Sequence, residues 1–158
     1  MAIAIANAWV KWYNFNCKKV LRRAALCKAT DGDIMAKEKY SFSEFYYSSS
    51  DAKTNIHACI WQPAREVRAV LQIVHGMAEY AERYANFAVA LAERGVLVCA
   101  EDHLGHGKSV SSEKELGYFA DKKGYGCVLE DIRTLAKIVS SKYQGVPYFM
   151  LGHSMGSF

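Results

Sequence analysis

The sequence predicts an α/β fold, a mainly parallel sheet with helices on both faces. Three observations predict it. Short apolar runs of strand length alternate with longer stretches whose apolar residues recur at helical spacing. Two of the runs, Val67 to Val74 and Val96 to Ala100, are almost continuously apolar, the mark of strands buried on both faces. Three segments rich in glycine and histidine each follow directly on a strand. In parallel sheets chemistry gathers at those carboxyl ends.

Taken in order, residues 1–38 read as an N-terminal extension, amphipathic or disordered, and 39–158 as the N-terminal part of one α/β domain. Met1 to Val10 is apolar, but Lys18, Lys19, Arg22 and Arg23 come after it, whereas a secretory signal carries its charge before the apolar run. The run is too short to span a bilayer. Trp9, Trp12 and Phe15 would suit transient contact with a membrane surface. Met35-Ala36-Lys37-Glu38 reads as an alternative start of synthesis.

Tyr40 to Tyr47 is an aromatic-rich strand ending in the turn cluster Ser48-Ser49-Ser50-Asp51. Asn55 to Trp61 is a second strand, stopped by Pro63, and the two form an antiparallel hairpin at a sheet edge. After the strand ending at Val74, the residues Tyr84, Phe87, Ala88, Leu91 and Ala92 mark an amphipathic helix, with Gly95 at its C-cap. The strand Val96 to Ala100 leads into Glu101 to Ser109. Val110 to Gly126 is polar and glycine-punctuated, a long loop with room for a short helical turn. Val128, Ile132, Leu135, Ala136, Val139 and Tyr143 mark a second helix. Gly145-Val146-Pro147 ends it and starts the strand Tyr148 to Leu151.

Composition narrows the function classes. The chain has 158 residues, 51% hydrophobic and 23% charged, enough for one domain with a real core. A net charge of +4 without a concentrated basic face argues against nucleic acid as a partner. The 5 cysteines are odd in number, widely spaced and without a C-x-x-C, as expected of reduced thiols in a cytoplasmic protein, soluble or peripheral to a membrane.

The chemistry centres on Gly152-His153-Ser154-Met155-Gly156. It follows a strand and matches G-x-S-x-G, the turn that lifts a nucleophilic serine clear of a sheet. Ser154 sits at the apex, Gly152 and Gly156 let the chain pass close to its neighbours, and the Met155 N–H is placed to meet charge on an attacked carbonyl. His75-Gly76-Met77 supplies a second tight turn, with the Met77 N–H as the partner donor. His75 precedes the nucleophile and is expected to bond loop backbone instead of acting as base. His153, adjacent to Ser154 on a sharp turn, is expected to pack or bond under it. Asp102, His103 and His106 could be metal ligands, but Gly105 and Gly107 break the spacing. Gly107-Lys108-Ser109 lacks the earlier glycine of a phosphate-binding loop. Asp102 is therefore expected to accept backbone hydrogen bonds and fix a turn.

As a set these segments resemble the monoacylglycerol lipase and lysophospholipase branch of the α/β-hydrolases, which includes serine-aminopeptidase-like members. The resemblance rests on His75-Gly76-Met77-Ala78-Glu79 with Arg83-Tyr84, on Asp102 to Ser109 and on Gly152 to Gly156, and covers Tyr40 to Phe158. It implies Ser154 as nucleophile, the Met77 and Met155 amides as oxyanion donors, a fatty-acid ester of glycerol or a lysolipid as substrate, and neither cofactor nor metal. In that branch the triad acid and histidine follow the nucleophile. The chain is thus expected to stop short of both and to be inactive alone. The alternative is a non-catalytic lipid-binding protein of the same fold.

Overall fold

A computed structural model describes residues 39–158; the readings of the extension, of Met35 and of Cys17 and Cys27 lie outside the described residues. One five-stranded sheet forms the centre: β1 Tyr40–Ser48, β2 Asn55–Pro63, β3 Ala69–Val74, β4 Val96–Glu101 and β5 Tyr148–Gly152, in the spatial order β1-β2-β4-β3-β5. The sheet is mixed. β1–β2 and β2–β4 are antiparallel, while β3–β4 and β3–β5 are parallel. The parallel half is built from β3 and β4, the two runs read as buried on both faces, and from β5. β5 was expected to be buried but lies at the sheet edge opposite the hairpin with Phe149 and Met150 exposed, because no strand among the described residues pairs with its outer side.

Each face is covered by one helix, α1 Ala85–Ala92 and α2 Gly124–Lys142. The period-two alternation of the strands sorts the core between them. Cys59, Trp61, Ile73, Val98 and Ala100 pack with Ala81, Ala88 and Ala92 on the α1 side. Ala58, Val70, Leu97 and Cys99 pack with Leu135 and Val139 on the other. Ile56, Val74 and Leu104 join Val128 and Ile132 at the carboxyl end of the parallel strands. Among the described residues no helix is long and apolar enough to cross a membrane.

Several boundaries move from those expected, by one or two residues in β1, β3 and β5, and three others for a local reason. β2 runs on through Pro63, which pairs with Tyr40 at the end of the ladder, where a missing N–H costs little. β4 takes in Glu101, whose neighbour Asp102 still bonds across to the His57 carbonyl. α2 begins at Gly124, after Lys123 at φ 54, because Val128, Ile132, Leu135 and Val139 hold the helix by packing despite two glycines in its first turn. The long loop carries its short turn at Glu113–Glu115.

Candidate active site

The turn after β5 and the turn after β3 meet at the carboxyl end of the sheet. β5 pairs with β3 so that Gly152 faces Val74, and the His153 N–H donates to the Val74 carbonyl at 3.0 Å. The chain then enters a single 3-10 turn, Ser154–Ser157. Ser154 stands at its start with φ 52, in the left-handed region that a non-glycine residue occupies only when its surroundings impose it. Its side chain is exposed to solvent. The imposing contacts are backbone contacts. A Cβ on Gly152 would lie 2.3 Å from the Gly156 carbonyl oxygen, and one on Gly156 would lie 2.2 Å from that of Val74. Only hydrogen fits at either place.

The turn after β3 packs directly against the serine. A Cβ on Gly76 would meet the Ser154 Cβ at 3.0 Å and the His153 carbonyl oxygen at 3.2 Å. Met77 is exposed on this turn, Ala78 follows at φ 58, and Met155 is half-buried on the other turn.

One carboxylate binds the two turns together, and the motif reading did not assign it that task. Glu79 Oε2 accepts from the Gly76 N–H at 2.9 Å, from the Tyr84 hydroxyl at 2.7 Å and from His153 Nδ1 at 2.9 Å. Its Oε1 lies 3.2 Å from Arg83 Nε. Burial works against the charge on Glu79, but the Tyr84 hydroxyl, the Gly76 amide and His153 outweigh it and hold the carboxyl below the usual range. His153, about half exposed, thus reaches across to the carboxylate of the turn after β3. The signal in the sequence was the run Glu79, Arg83, Tyr84, whose spacing allows one carboxylate to meet both partners.

The other site residues form the floor. His75 is fully buried; Nδ1 donates to the Gly76 carbonyl at 2.7 Å and Nε2 accepts from the His103 N–H at 3.1 Å. Burial, reinforced by neighbouring His103, lowers its pKa to about 3. Asp102 Oδ1 accepts from the Ala81 N–H at 2.6 Å, and Oδ2 accepts from the Lys108 N–H at 2.8 Å and lies 2.8 Å from His57 Nδ1. This carboxylate joins three segments, and His57 is a partner that strand periodicity alone did not reveal. His106 Nδ1 lies 2.9 Å from the Leu104 carbonyl. Asp102 and His103 therefore spend their ligating atoms on other contacts, while His106 Nε2 is buried without a hydrogen-bond partner. Glu44, His57 and Cys59 come within 4.8 Å of one another, but the Lys108 ammonium already takes the place of a cation, bonded to Glu44 and, at 2.8 Å, to Glu82.

All five histidines of the chain lie in the described part, and none of the bonds just given runs from an imidazole to the Ser154 hydroxyl. A cleft of about 1000 Å³ is lined by Tyr46, Lys53, Lys108, Tyr118 and Phe119, among others, and Ser154 is not part of its lining. A pocket of about 30 Å³ lies behind the elbow, between Val74, His103, Phe119, Met155 and Gly156.

A serine raised on a strained turn at the carboxyl end of a parallel strand, with a glycine turn packed against it, is the arrangement of an α/β-hydrolase. Residues 65–158 match the family described as serine aminopeptidase, S33, and the chain belongs to that family. It is 37% identical over 97 residues to a monoacylglycerol lipase of Mycolicibacterium smegmatis, covering 61% of this chain and 32% of that protein. It is 34% identical over 96 residues to the human monoglyceride lipase, covering 61% of this chain and 30% of that one. Among solved structures, a carboxyl esterase from Bacillus coagulans in complex with glycerol superposes with a TM-score of 0.68 at 41% identity, over 73% of this chain and 37% of that chain. The chain spans about a third of the length of these curated relatives.

Proposed function

We propose that this chain carries the nucleophile and oxyanion half of a serine hydrolase that cleaves carboxylic esters of lipids, of the monoacylglycerol or lysophospholipid type. The observation that carries the reading is Ser154 at φ 52, exposed, with the backbone of Gly76 against its Cβ. Ser154 Oγ attacks the ester carbonyl as a base takes its proton; the alcohol leaves with a proton, and water then releases the fatty acid from the acyl-enzyme. The Met77 and Met155 amides hold the oxyanion, and their flexible side chains suit an acyl chain. His75, Gly76, Asp102, Gly152, His153 and Gly156 hold the two turns in place. The base is supplied from outside residues 39–158, since the histidines there are otherwise engaged. The names of the relatives support the substrate class. Free Cys59, Cys99 and Cys127 support a reducing, cytoplasmic setting, and contact with a membrane surface falls to residues 1–38.

A second reading, a lipid-binding protein of this fold without turnover, is favoured by those same committed histidines. A fluorophosphonate probe separates the two. The chain, expressed together with the acid- and histidine-bearing remainder of a hydrolase domain, is expected to be labelled at Ser154 and to lose labelling in Ser154→Ala. Absence of labelling in the unmodified protein would favour the binding reading.

A further inference from the structure

Beneath the turn after β3 lies a line of buried polar groups that the proposed reaction does not use: Tyr47, Glu101, His103 and His75. Glu101 and His103 are each 1% exposed. The protons along the line can be counted, because a carbonyl only accepts and a backbone N–H only donates. The His103 N–H donates to His75 Nε2, so His75 carries its proton on Nδ1, where the Gly76 carbonyl receives it. His103 Nε2 lies 3.2 Å from the His75 carbonyl and must therefore be a donor. In a neutral ring that leaves His103 Nδ1 as a bare lone pair, 3.3 Å from Glu101 Oε1. An ionised Glu101 would set lone pair against lone pair there. At its other oxygen Glu101 meets the Tyr47 hydroxyl at 2.5 Å, and that hydroxyl also lies 2.9 Å from the Asp131 carbonyl. The hydroxyl has one proton, and the shorter contact assigns it to Glu101 Oε2; one proton on Glu101 Oε1, facing His103 Nδ1, then completes the line from Tyr47 to His75.

We propose that Glu101 is held as a neutral carboxylic acid that donates to His103 Nδ1 and so locks the tautomer by which His103 grips the His75 carbonyl, making Glu101 a positioning residue for the turn that carries Met77. The naming of that turn as half of an oxyanion hole rests on the function proposed above; the proton assignment does not. The surroundings favour the neutral form. Asp131 faces Glu101 from α2, Tyr47 from β1, and Asp102 follows on its own chain, with Cys99 and Tyr148 further off and no Lys or Arg among them. Burial, then repulsion from Asp131 and Asp102, raises Glu101 to about 8 against the pull of the Tyr47 hydroxyl, while burial lowers His103 to about 4. The alternative, an ionised Glu101 beside a charged His103, would place a cation against the His75 ring, whose centroid is 3.9 Å away, at a fully desolvated site.

The test is nitrogen NMR of the chain labelled with ¹⁵N-histidine, together with infrared spectroscopy. At pH 7 His103 is expected to be protonated on Nε2 alone, with a carboxylic-acid band that disappears in Glu101→Gln and, in the unmodified protein, on titration above pH 8. Glu101→Gln, whose amide can still donate, is expected to keep the tautomer, whereas Glu101→Leu mixes it. Where the Leu variant does not fold, the unmodified chain and the Gln variant still decide. A doubly protonated His103 at pH 7, an Nδ1-protonated ring, or the absence of the acid band each overturns the proposal. Labelling of Ser154 is measured separately in the hydrolase. Labelling slowed about tenfold in the Leu variant and unchanged in Gln supports the positioning role. Equal labelling in both removes that role while leaving Ser154 as the nucleophile.

Discussion

The upper and lower sides of the turn after β3 solve the same problem in opposite ways. Above, on the side toward solvent, Glu79 meets a backbone amide, a tyrosine hydroxyl, His153 and Arg83 and remains charged. Below, in the dry interior, Glu101 meets a tyrosine hydroxyl and a histidine among other acidic groups, and its charge is disfavoured. Both carboxyls fix the same few backbone atoms around His75 and Gly76. The difference shows that what a glutamate contributes is set by the donors it faces and the water it loses, and that one short turn can be braced by an ion on one side and a neutral acid on the other.

The comparison assumes that close-packed backbone, and not either carboxyl, bears the largest strain at the site. Gly156→Ala forces a Cβ onto the Val74 carbonyl and is expected to destabilise the chain by about 3 kcal/mol in chemical denaturation. Gly126→Ala in the first turn of α2 meets nothing nearer than 3.8 Å and is expected to be neutral or stabilising by about 0.5 kcal/mol. Equal effects would show that the elbow is looser than its contacts imply.

The interior side is tested by pH. His75 and His103 have folded pKa values near 3 and 4 against an ordinary 6.5, so the unfolded chain binds their protons first and stability falls as pH drops below 6.5. Glu101, raised from 4.5 to about 8, acts in the opposite sense: its contribution is complete below 4.5 and is lost as pH rises toward 8. Each group contributes about 1.4 kcal/mol per pH unit inside its window. Between 4.5 and 6.5 the two histidines outweigh Glu101, for a net loss of about 1.4 kcal/mol per unit of acidification, and above 6.5 Glu101 alone costs about as much per unit of rise. Stability is expected to peak near pH 6.5, and Glu101→Gln should flatten the alkaline limb and roughly double the slope between 4.5 and 6.5, where Glu101 no longer offsets one of the two histidines. A peak that does not move, with both limbs unchanged in that variant, would contradict the contrast between the two carboxyls.

The surface side is tested by Glu79→Gln, which keeps the shape but removes the charge and one acceptor. In the active hydrolase it should lower kcat about tenfold with little change in KM, because it loosens the alignment of two turns and not the substrate pocket. An unchanged kcat would reduce Glu79 to packing.

Much of the fold was legible because buried parallel strands announce themselves as apolar runs, as Val67 to Val74 and Val96 to Ala100 do. Ser154 was legible because its turn tolerates so few residues. What escaped was long-range pairing between polar groups. Glu101 read as a loop residue because nothing local shows that Tyr47 and Asp131 lie beside it. Asp102 read as a turn former, and His57, 45 residues earlier, gave no sign of being its partner. The start of α2 was hidden by Gly124 and Gly126, which local preference places outside a helix and packing retains within it.

The backbone stack of Gly152, Gly156 and Val74 has a further consequence, for assembly of the sheet. Were β5 to slide by one residue along β3, Leu151 or His153 would be driven into the space that Gly152 now occupies, and the chain could not double back past Val74. The glycines that raise the serine thereby act as a gauge of strand alignment: the turn closes only when the last two strands have already found each other correctly.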